Sequence, residues 1–241
     1  MRLLVWGAGA IGGTISAYLS RAGHDLTLVD RAAEHVNAIN TAGLRITGPV
    51  EEFTAHPSAF TPETLTGQFE TILLCVKAQD TEGATRALLP HLSVNGCVVS
   101  VQNGLNELTI ARIAGPARTV GCFINFGADY MEPGVVHFGG RGAVVLGELD
   151  GVTTPRVQSL HALFRDFEPN AIITANIWGY LWGKMAYGAL LFATALTNEA
   201  IADALAAPAY RDLYIALARE VLRVATCPRS GSGVSGGIQP E

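Results

Sequence analysis

A glycine-rich segment near the amino terminus constrains the fold of this chain more than any other feature. Arg2 to Val5 (RLLV) predicts a short buried strand, and a helical pattern follows the segment through Arg21. Between them the residues match the spacing GxGxxG: Gly7, Ala8, Gly9, Ala10, Ile11 and Gly12. Glycines at these places allow a tight turn, close approach of a pyrophosphate and close helix–strand packing. The N–H groups that begin the helix favour an anion, so the segment predicts a dinucleotide site.

The two residues after the second predicted strand make opposite predictions about the cofactor. Asp30 and Arg31 follow the strand Asp25 to Val29. A carboxylate here binds the free ribose hydroxyls of NAD and repels a 2′-phosphate, whereas an arginine pairs with the 2′-phosphate of NADP. Arg31 is equally compatible with a solvated surface charge. The residues alone leave the choice between NAD and NADP open.

The rest of the first half alternates between β-branched runs and helical segments. This alternation is typical of an α/β fold with a doubly wound parallel sheet that is covered on both faces. Further strands are predicted at Leu44 to Thr47, Thr71 to Val76 and Cys97 to Val101. A helix is predicted from Thr81 to Leu92, ending near Asn95-Gly96. From Val120 to Leu146, strand-like pieces broken by glycine predict antiparallel strands added to the sheet edge.

The pattern becomes almost purely helical from Ile177 to Ala225. We therefore expect a Rossmann-type dinucleotide-binding domain at residues 1–169 and a smaller, truncated all-helical substrate domain at 170–226. Residues 227–241 are rich in Gly and Ser and predict a flexible tail. Gly233 to Gly237 match GxSxG, but a nucleophile elbow needs a strand before the serine and a helix after it.

The composition excludes several classes of function. The formal net charge is −5 and 49% of the residues are hydrophobic, which excludes a disordered chain and argues against a nucleic-acid partner. The cysteines form no CxxC pair and no Cys/His cluster, so we expect no metal and a reducing compartment. The most apolar stretches contain several glycines or the charged Lys184, so we expect a cytoplasmic protein without a membrane partner.

Three polar residues stand where catalysis is expected. Asn103 follows the fifth predicted strand and Lys77 follows the fourth, and ligands of open α/β sheets bind beyond these carboxyl ends. An Asn-Gly pair is equally typical of an ordinary turn. Lys184 lies in the least polar part of the chain, where its ammonium group should reach a cleft or a ligand. It could polarise a bound carbonyl and donate a proton. The alternative is a lysine at the domain surface whose apolar stem is buried.

Together these segments resemble the ketopantoate reductase (2-dehydropantoate 2-reductase) family over roughly residues 1–225. The resemblance is carried by GAGAIGG, by CVKAQ and QNG after two strands, by FGA at 126–128, and by the Lys184 segment with TALTNEAIADAL. It implies an NADPH-binding Rossmann domain, a small 2-oxo acid substrate and a helical second domain. It implies cofactor contacts for Gly7 to Gly12, Arg31, Asn103 and Ala128, and places Lys77 near the nicotinamide end. Lys184 would be the proton donor, and Asn103 would help to place the substrate.

The chain departs from the family pattern at several positions. Gly188 and Phe192 stand where members that bind ketopantoate have asparagines, one and two helical turns after the lysine. Asp30 replaces an apolar or small residue before the NADP-binding arginine. The family also continues with further helices, whereas here the helical pattern stops near Thr226, so we expect a truncated carboxyl terminus.

These observations favour an NADP-dependent reductase of a 2-oxo acid, with Lys184 and Asn103 as catalytic residues. One alternative is a truncated, catalytically impaired nucleotide-binding protein that forms a homo-oligomer through exposed helical surface. It predicts nucleotide binding without turnover, together with concentration-dependent oligomers. Another is an NAD-dependent dehydrogenase of a different ketone or hydroxy acid, which rests on Asp30.

Overall fold

A ten-stranded, mostly parallel sheet forms the centre of residues 2–226, the part of the chain that this computed structural model describes. The strand order is β4-β3-β9-β8-β7-β6-β1-β2-β5, and β10 pairs with β9. The strands are β1 (Leu3–Trp6), β2 (Leu26–Val29), β3 (Leu44–Thr47), β4 (Phe53–Ala55), β5 (Ser58–Phe60), β6 (Phe69–Leu74), β7 (Leu92–Ser100), β8 (Thr119–Glu132), β9 (Val135–Glu148) and β10 (Ile172–Ile173). The predicted tail and its GxSxG match lie outside the described residues.

Helices cover both faces of this sheet, as the sequence predicts. Side chains alternate across a strand, so Leu3 and Val5 of β1 pack in one core, whereas Leu4 and Trp6 pack in the other. The helices are α1 (Ala10–Arg21), α2 (Ala33–Ala42), α3 (Thr81–Leu88), α4 (Glu107–Ala114), α5 (Pro155–Arg165), α6 (Ile177–Thr194), α7 (Ile201–Ala206) and α8 (Arg211–Thr226). The doubly wound α/β class is confirmed.

The long hairpin of β8 and β9 lies inside the sheet, which corrects the prediction that these antiparallel strands form its edge. β8 pairs in parallel with β7, and β9 pairs with both β3 and β10. β4 then pairs antiparallel with β3 and becomes the terminal strand. After β2 the chain crosses to the opposite end of the sheet, where it forms β3 and β4, and then returns. The outer neighbour of β2 is therefore β5 and not β3.

The predicted end of the helix near Asn95-Gly96 is wrong. α3 ends at Leu88 and a short 3-10 turn follows at Leu89–His91. Pro90 lies in that turn, and because proline has no backbone N–H it cannot donate the hydrogen bond that would continue α3. Asn95 and Gly96 therefore lie within β7, which begins three residues before Asn95 at Leu92.

Helices α6 and α8 share a third core with the sheet. Trp178 and Leu181 of α6 pack with Val145 of β9, and Ala225 of α8 joins the same core. The indole Nε1 of Trp178 donates a hydrogen bond of 2.9 Å to the carbonyl of Leu149. The predicted domain boundary falls between α5 and α6 and stays a prediction. The predicted homo-oligomer also stays a prediction, although the helical segment from α6 to α8 exposes large apolar side chains: Phe192, Leu196, Ile201, Leu213 and Val224.

Candidate functional site

The glycine-rich loop connects β1 to α1 at the carboxyl edge of the sheet. Gly7 has a φ of +101°, which disfavours any residue with a side chain, and its N–H donates to the carbonyl of Val29. A Cβ added at Gly12 would lie 1.9 Å from the carbonyl oxygen of Gly7. At Gly9, by contrast, an added Cβ would find no atom within 4 Å among the described residues. The loop is therefore closely packed at Gly12, against the backbone of Gly7, and open at Gly9, where α1 begins.

The carboxylate of Asp30 is held against this loop. One oxygen accepts a hydrogen bond of 2.9 Å from the N–H of Ala8, and the other accepts one of 3.0 Å from the N–H of Ala32. The side chain of Arg31 is 82% exposed, and its guanidinium lies 3.6 Å from the Asp80 carboxylate. The negative group is thus held by two hydrogen bonds, whereas the positive group is exposed at the mouth of the cleft beside Asp80.

A cleft of about 890 Å³ extends from this loop across the ends of four strands. It brings together eight of the predicted residues: Gly7, Gly9, Ala10, Ile11, Asp30, Arg31, Lys77 and Asn103. Ala8 is fully buried beneath the loop, and Gly12 packs against the backbone of Gly7. Ala128 lies further along β8, where it pairs with Phe138 outside the cleft lining.

Gln102 connects two of the loops that form this cleft, and sequence reasoning missed its role. Its buried side-chain amide donates hydrogen bonds of 2.8 Å to the carbonyl of Val76 and to the hydroxyl of Thr81. That hydroxyl bonds the side-chain carbonyl of Asn106, whose amide donates to the carbonyl of Asn103. The signal available in the sequence was a polar residue between a buried strand and a turn.

Lys184 is half-buried in the middle of α6 and points at the sheet. Its Nζ donates a hydrogen bond to the carbonyl of Ile124 and lies 5.3 Å from the centre of the Phe123 ring. Burial lowers the pKa of this ammonium group below its ordinary value, because the charged form loses water. Ile124 also lines the large cleft, so Lys184 and the cleft meet at one residue of β8.

A second cavity, of about 430 Å³, lies beside Lys184 between β8 and α6. Phe123 and Asn125 of β8 form one wall. The other wall consists of residues of α6 and its cap: Asn176, Gly179, Tyr180, Gly183, Lys184 and Tyr187.

Glu107, the first residue of α4, is a buried carboxyl group that the sequence did not single out. Within residues 2–226, neither of its oxygens has a hydrogen-bond partner of standard geometry. Burial raises the pKa of Glu107 to about 7, although the start of its helix and the Ser100 hydroxyl act in the opposite direction. A carboxyl group with this pKa changes its charge near neutral pH.

The described residues hold neither a metal-binding cluster nor a membrane-spanning helix. Residues 2–226 contain no group of three or more His, Cys, Asp or Glu side chains that could hold a metal ion. In the same range, no helix is both long enough and apolar enough to cross a lipid bilayer.

Known proteins resemble this chain over most of its length. The family model described as ketopantoate reductase PanE/ApbA matches residues 3–151. The 2-dehydropantoate 2-reductase of Halobacterium salinarum is 30% identical over 187 residues, which cover 77% of this chain and 61% of the relative. Its counterpart in Mesorhizobium japonicum is 30% identical over 233 residues, covering 83% of this chain and 69% of the relative.

A solved structure agrees with these relatives. The 2-dehydropantoate 2-reductase from Geobacter metallireducens superposes with a TM-score of 0.84 at 26% identity, covering 94% of this chain and 75% of that one. The chain spans about three fifths of the length of the first curated relatives that it matches.

Proposed function

This chain belongs to the ketopantoate reductase PanE/ApbA family, and from that premise we propose that it reduces a small 2-oxo acid, of the 2-dehydropantoate type, to a 2-hydroxy acid with NADPH. The observation that carries the proposal is the position of Lys184. Its Nζ bonds the carbonyl of Ile124, the residue at which the lysine meets the large cleft. A proton donor thus stands beside a cleft whose loop fits a dinucleotide.

The cleft fits a nicotinamide dinucleotide on its own geometry. The open backbone at Gly9 and the start of α1 would receive the pyrophosphate. Lys77 and Asn103 line the same cleft after β6 and β7, toward the expected nicotinamide end. When bound, the reduced nicotinamide supplies a hydride to the carbonyl carbon of the substrate.

NADPH is proposed as the cofactor because Arg31 is exposed at the cleft and could pair with a 2′-phosphate. The Asp30 carboxylate already accepts two backbone N–H bonds, which partly offset its negative charge toward that phosphate. An NAD-dependent dehydrogenase remains the second candidate, because the same carboxylate has further lone pairs for ribose hydroxyls.

Lys184 supplies the proton in this reaction. As the carbonyl oxygen of the substrate gains negative charge, the ammonium group stabilises it and transfers a proton to it. The lowered pKa of Lys184 makes the ammonium a stronger acid than an exposed lysine, which favours this transfer. The neutral amine regains a proton from solvent. Asn103 orients the substrate at the end of the cleft.

The test is loss of NADPH absorbance with a panel of 2-oxo acids, for the original chain and for Lys184→Ala. We expect kcat to fall by about 100-fold or more in Lys184→Ala, the usual contribution of a general acid, while the Kd for NADPH changes little. Met185→Ala, at an exposed neighbour on α6, is the control and should retain activity. An undiminished rate in Lys184→Ala, or no turnover with any acid, would contradict the proposal.

A further inference from the structure

His35 is a buried histidine of α2 whose ring lies against the glycine-rich loop. Its side chain is only 1% exposed, and both ring nitrogens lie within hydrogen-bond distance of backbone atoms from distant segments. Nε2 lies 2.9 Å from the carbonyl oxygen of Ala8, inside the GxGxxG segment. Nδ1 lies 2.9 Å from the backbone nitrogen of Gly134, in the turn between β8 and β9. The ring therefore joins the loop to the β8–β9 hairpin.

The two backbone partners place the proton of this ring on one nitrogen. A backbone N–H can only donate, so Nδ1 accepts from Gly134, and a carbonyl can only accept, so Nε2 donates to Ala8. The ring of Tyr130, which also lines the large cleft, packs against the imidazole in a T-shaped arrangement with ring centres 5.0 Å apart. The imidazole is thus held in one orientation, with its N–H directed at the loop.

The backbone of Ala8 is held on both sides by residues that follow β2. Its N–H donates to the carboxylate of Asp30, and its carbonyl accepts from His35. A trans peptide has its carbonyl and its N–H on opposite sides, so an Ala8 carbonyl held toward His35 turns the N–H of Gly9 the other way. Gly9 is the open position of the loop and lines the cleft. His35 therefore sets the direction of a backbone donor where the pyrophosphate is proposed to bind.

We propose that His35 is a positioning residue for the cofactor: through the Ala8 carbonyl it holds the Ala8–Gly9 peptide in the orientation that receives the pyrophosphate. This inference rests on the cofactor binding proposed above. A loop that already has this orientation loses less conformational freedom when the dinucleotide binds, and so binds it more tightly. The hydrogen bond to Gly134 holds the hairpin instead and contributes to stability alone.

Two substitutions divide the hydrogen bonds of His35 between them. His35→Gln has an amide nitrogen at about the distance of Nε2 from the backbone, so it can still donate to Ala8. His35→Asn has an amide oxygen at about the distance of Nδ1, so it can still accept from Gly134. Each variant keeps one hydrogen bond and loses the other, and both should have a lower Tm than the original chain.

The two variants should differ in cofactor affinity. We expect the Kd for NADPH to rise about tenfold in His35→Asn, the effect of one buried hydrogen bond, and to change by less than about twofold in His35→Gln. NADH should show the same pattern, because it carries the same pyrophosphate. At saturating cofactor, kcat should be unchanged in both variants, since the loop lies away from the expected nicotinamide end of the cleft. Fluorescence titration and steady-state kinetics measure these quantities.

Asn40→Ala is the matched control on the same helix. The side chain of Asn40 also makes two hydrogen bonds to a distant backbone, donating to the carbonyl of Ala59 at 2.8 Å and accepting from its N–H at 3.0 Å. These bonds connect α2 to β5 and not to the loop. Asn40→Ala should therefore lower the Tm and leave the Kd for both nucleotides unchanged.

A measurement on the original chain needs no variant. Heteronuclear NMR of the histidine rings distinguishes the two nitrogens of His35. We expect the proton on Nε2, with Nδ1 free of hydrogen, and a shift of the Nε2 signal when NADPH is added. A proton on Nδ1, or an Nε2 signal that saturating NADPH leaves unchanged, would overturn the positioning role.

The outcomes separate this inference from the proposed function. Equal increases of Kd in His35→Asn and His35→Gln, no increase in His35→Asn, or a similar increase in Asn40→Ala would overturn the role of His35 and leave cofactor binding intact. Failure of the original chain to bind either NADPH or NADH would overturn the proposed reductase function, and this inference with it.

Discussion

Glu107 illustrates how one residue can affect the whole protein without touching the cleft. Its carboxyl group is fully buried at the start of α4, and burial raises its pKa to about 7. Since the pKa is higher in the folded state than in the unfolded state, folding favours the protonated form. The stabilising contribution is complete below about pH 4.5, the ordinary value, and is lost as the pH rises through 7.

Glu107→Gln should remove this dependence, because the amide carries no charge at any of these pH values. We expect the free energy of unfolding of the original chain, relative to Glu107→Gln, to fall by about 3 kcal/mol between pH 4.5 and pH 8. Urea unfolding at the two pH values measures the difference. Glu52→Gln, at an exposed glutamate, should show no such change. Parallel pH profiles for the original chain and Glu107→Gln would contradict the pKa assigned to this group.

At the residue scale, sequence reasoning succeeds where a local pattern has a backbone cause. Gly7 and Gly12 follow from the turn and the close packing that the loop requires, and both requirements are present. Gln102 and Glu107 were missed because their importance depends on burial between distant segments. A sequence shows the polarity of a side chain but does not show whether water reaches it.

At the scale of elements, Gln102 joins the loop after β6 to the turn after β7. Its amide bonds Val76 and Thr81, and the chain continues through Asn106 to the backbone of Asn103. These hydrogen bonds fix the turn that presents Asn103 to the cleft. Gln102 is thus a positioning residue for the proposed reaction.

Gln102→Leu should release this turn while keeping the side chain buried. We expect kcat to fall about tenfold, with a smaller change in the Kd for NADPH, because a displacement of about 1 Å in a substrate-positioning group has a large effect on rate. Steady-state kinetics and cofactor titration separate the two effects.

The control variant, Thr85→Ala, removes another buried hydrogen bond, from Thr85 to the carbonyl of Thr81. It should lower stability by about 1 kcal/mol and leave kcat unchanged. Equal kcat losses in both variants would mean that Gln102 is only structural.

Elements with strong patterns were predictable, whereas their order in the sheet was not. β3 occurs at Leu44–Thr47 as predicted, and the helical pattern after Ile177 yields α6, α7 and α8. The pairing of β3 with β9, nearly a hundred residues away, has no signature in a window of ten residues. β4 and β5 have three residues each, too few to show a period of two.

At the scale of the molecule, the helical segment and the sheet are joined by a common core. Ile177, Trp178 and Trp182 of α6 are buried in the same cluster as Val145 of β9. The composition predicts the change from α/β to helical, but it does not reveal that the helices share a core with the strands. Because Lys184 of α6 bonds the carbonyl of Ile124, which lines the cleft, cofactor binding should stabilise the described fold as a unit.

This linkage gives a test of the cofactor that does not require a substrate. A ligand present at about 100 times its Kd raises the free energy of unfolding by about 2.7 kcal/mol, so NADPH should raise the Tm of the chain. Arg31→Ala removes the guanidinium proposed to pair with the 2′-phosphate and should weaken NADPH binding about tenfold, the worth of one charge-assisted hydrogen bond. NADH, which lacks this phosphate, should be little affected.

The control for Arg31→Ala is Arg45→Ala, at an exposed arginine on β3 outside the cleft lining. A second variant, Asp80→Asn, removes the carboxylate 3.6 Å from the Arg31 guanidinium and should strengthen NADPH binding, because the arginine loses a competing partner. Should NADH instead raise the Tm more than NADPH at equal concentration, with Arg31→Ala leaving both shifts unchanged, the cofactor is NAD. Asp30, held by the N–H groups of Ala8 and Ala32, would then determine the preference.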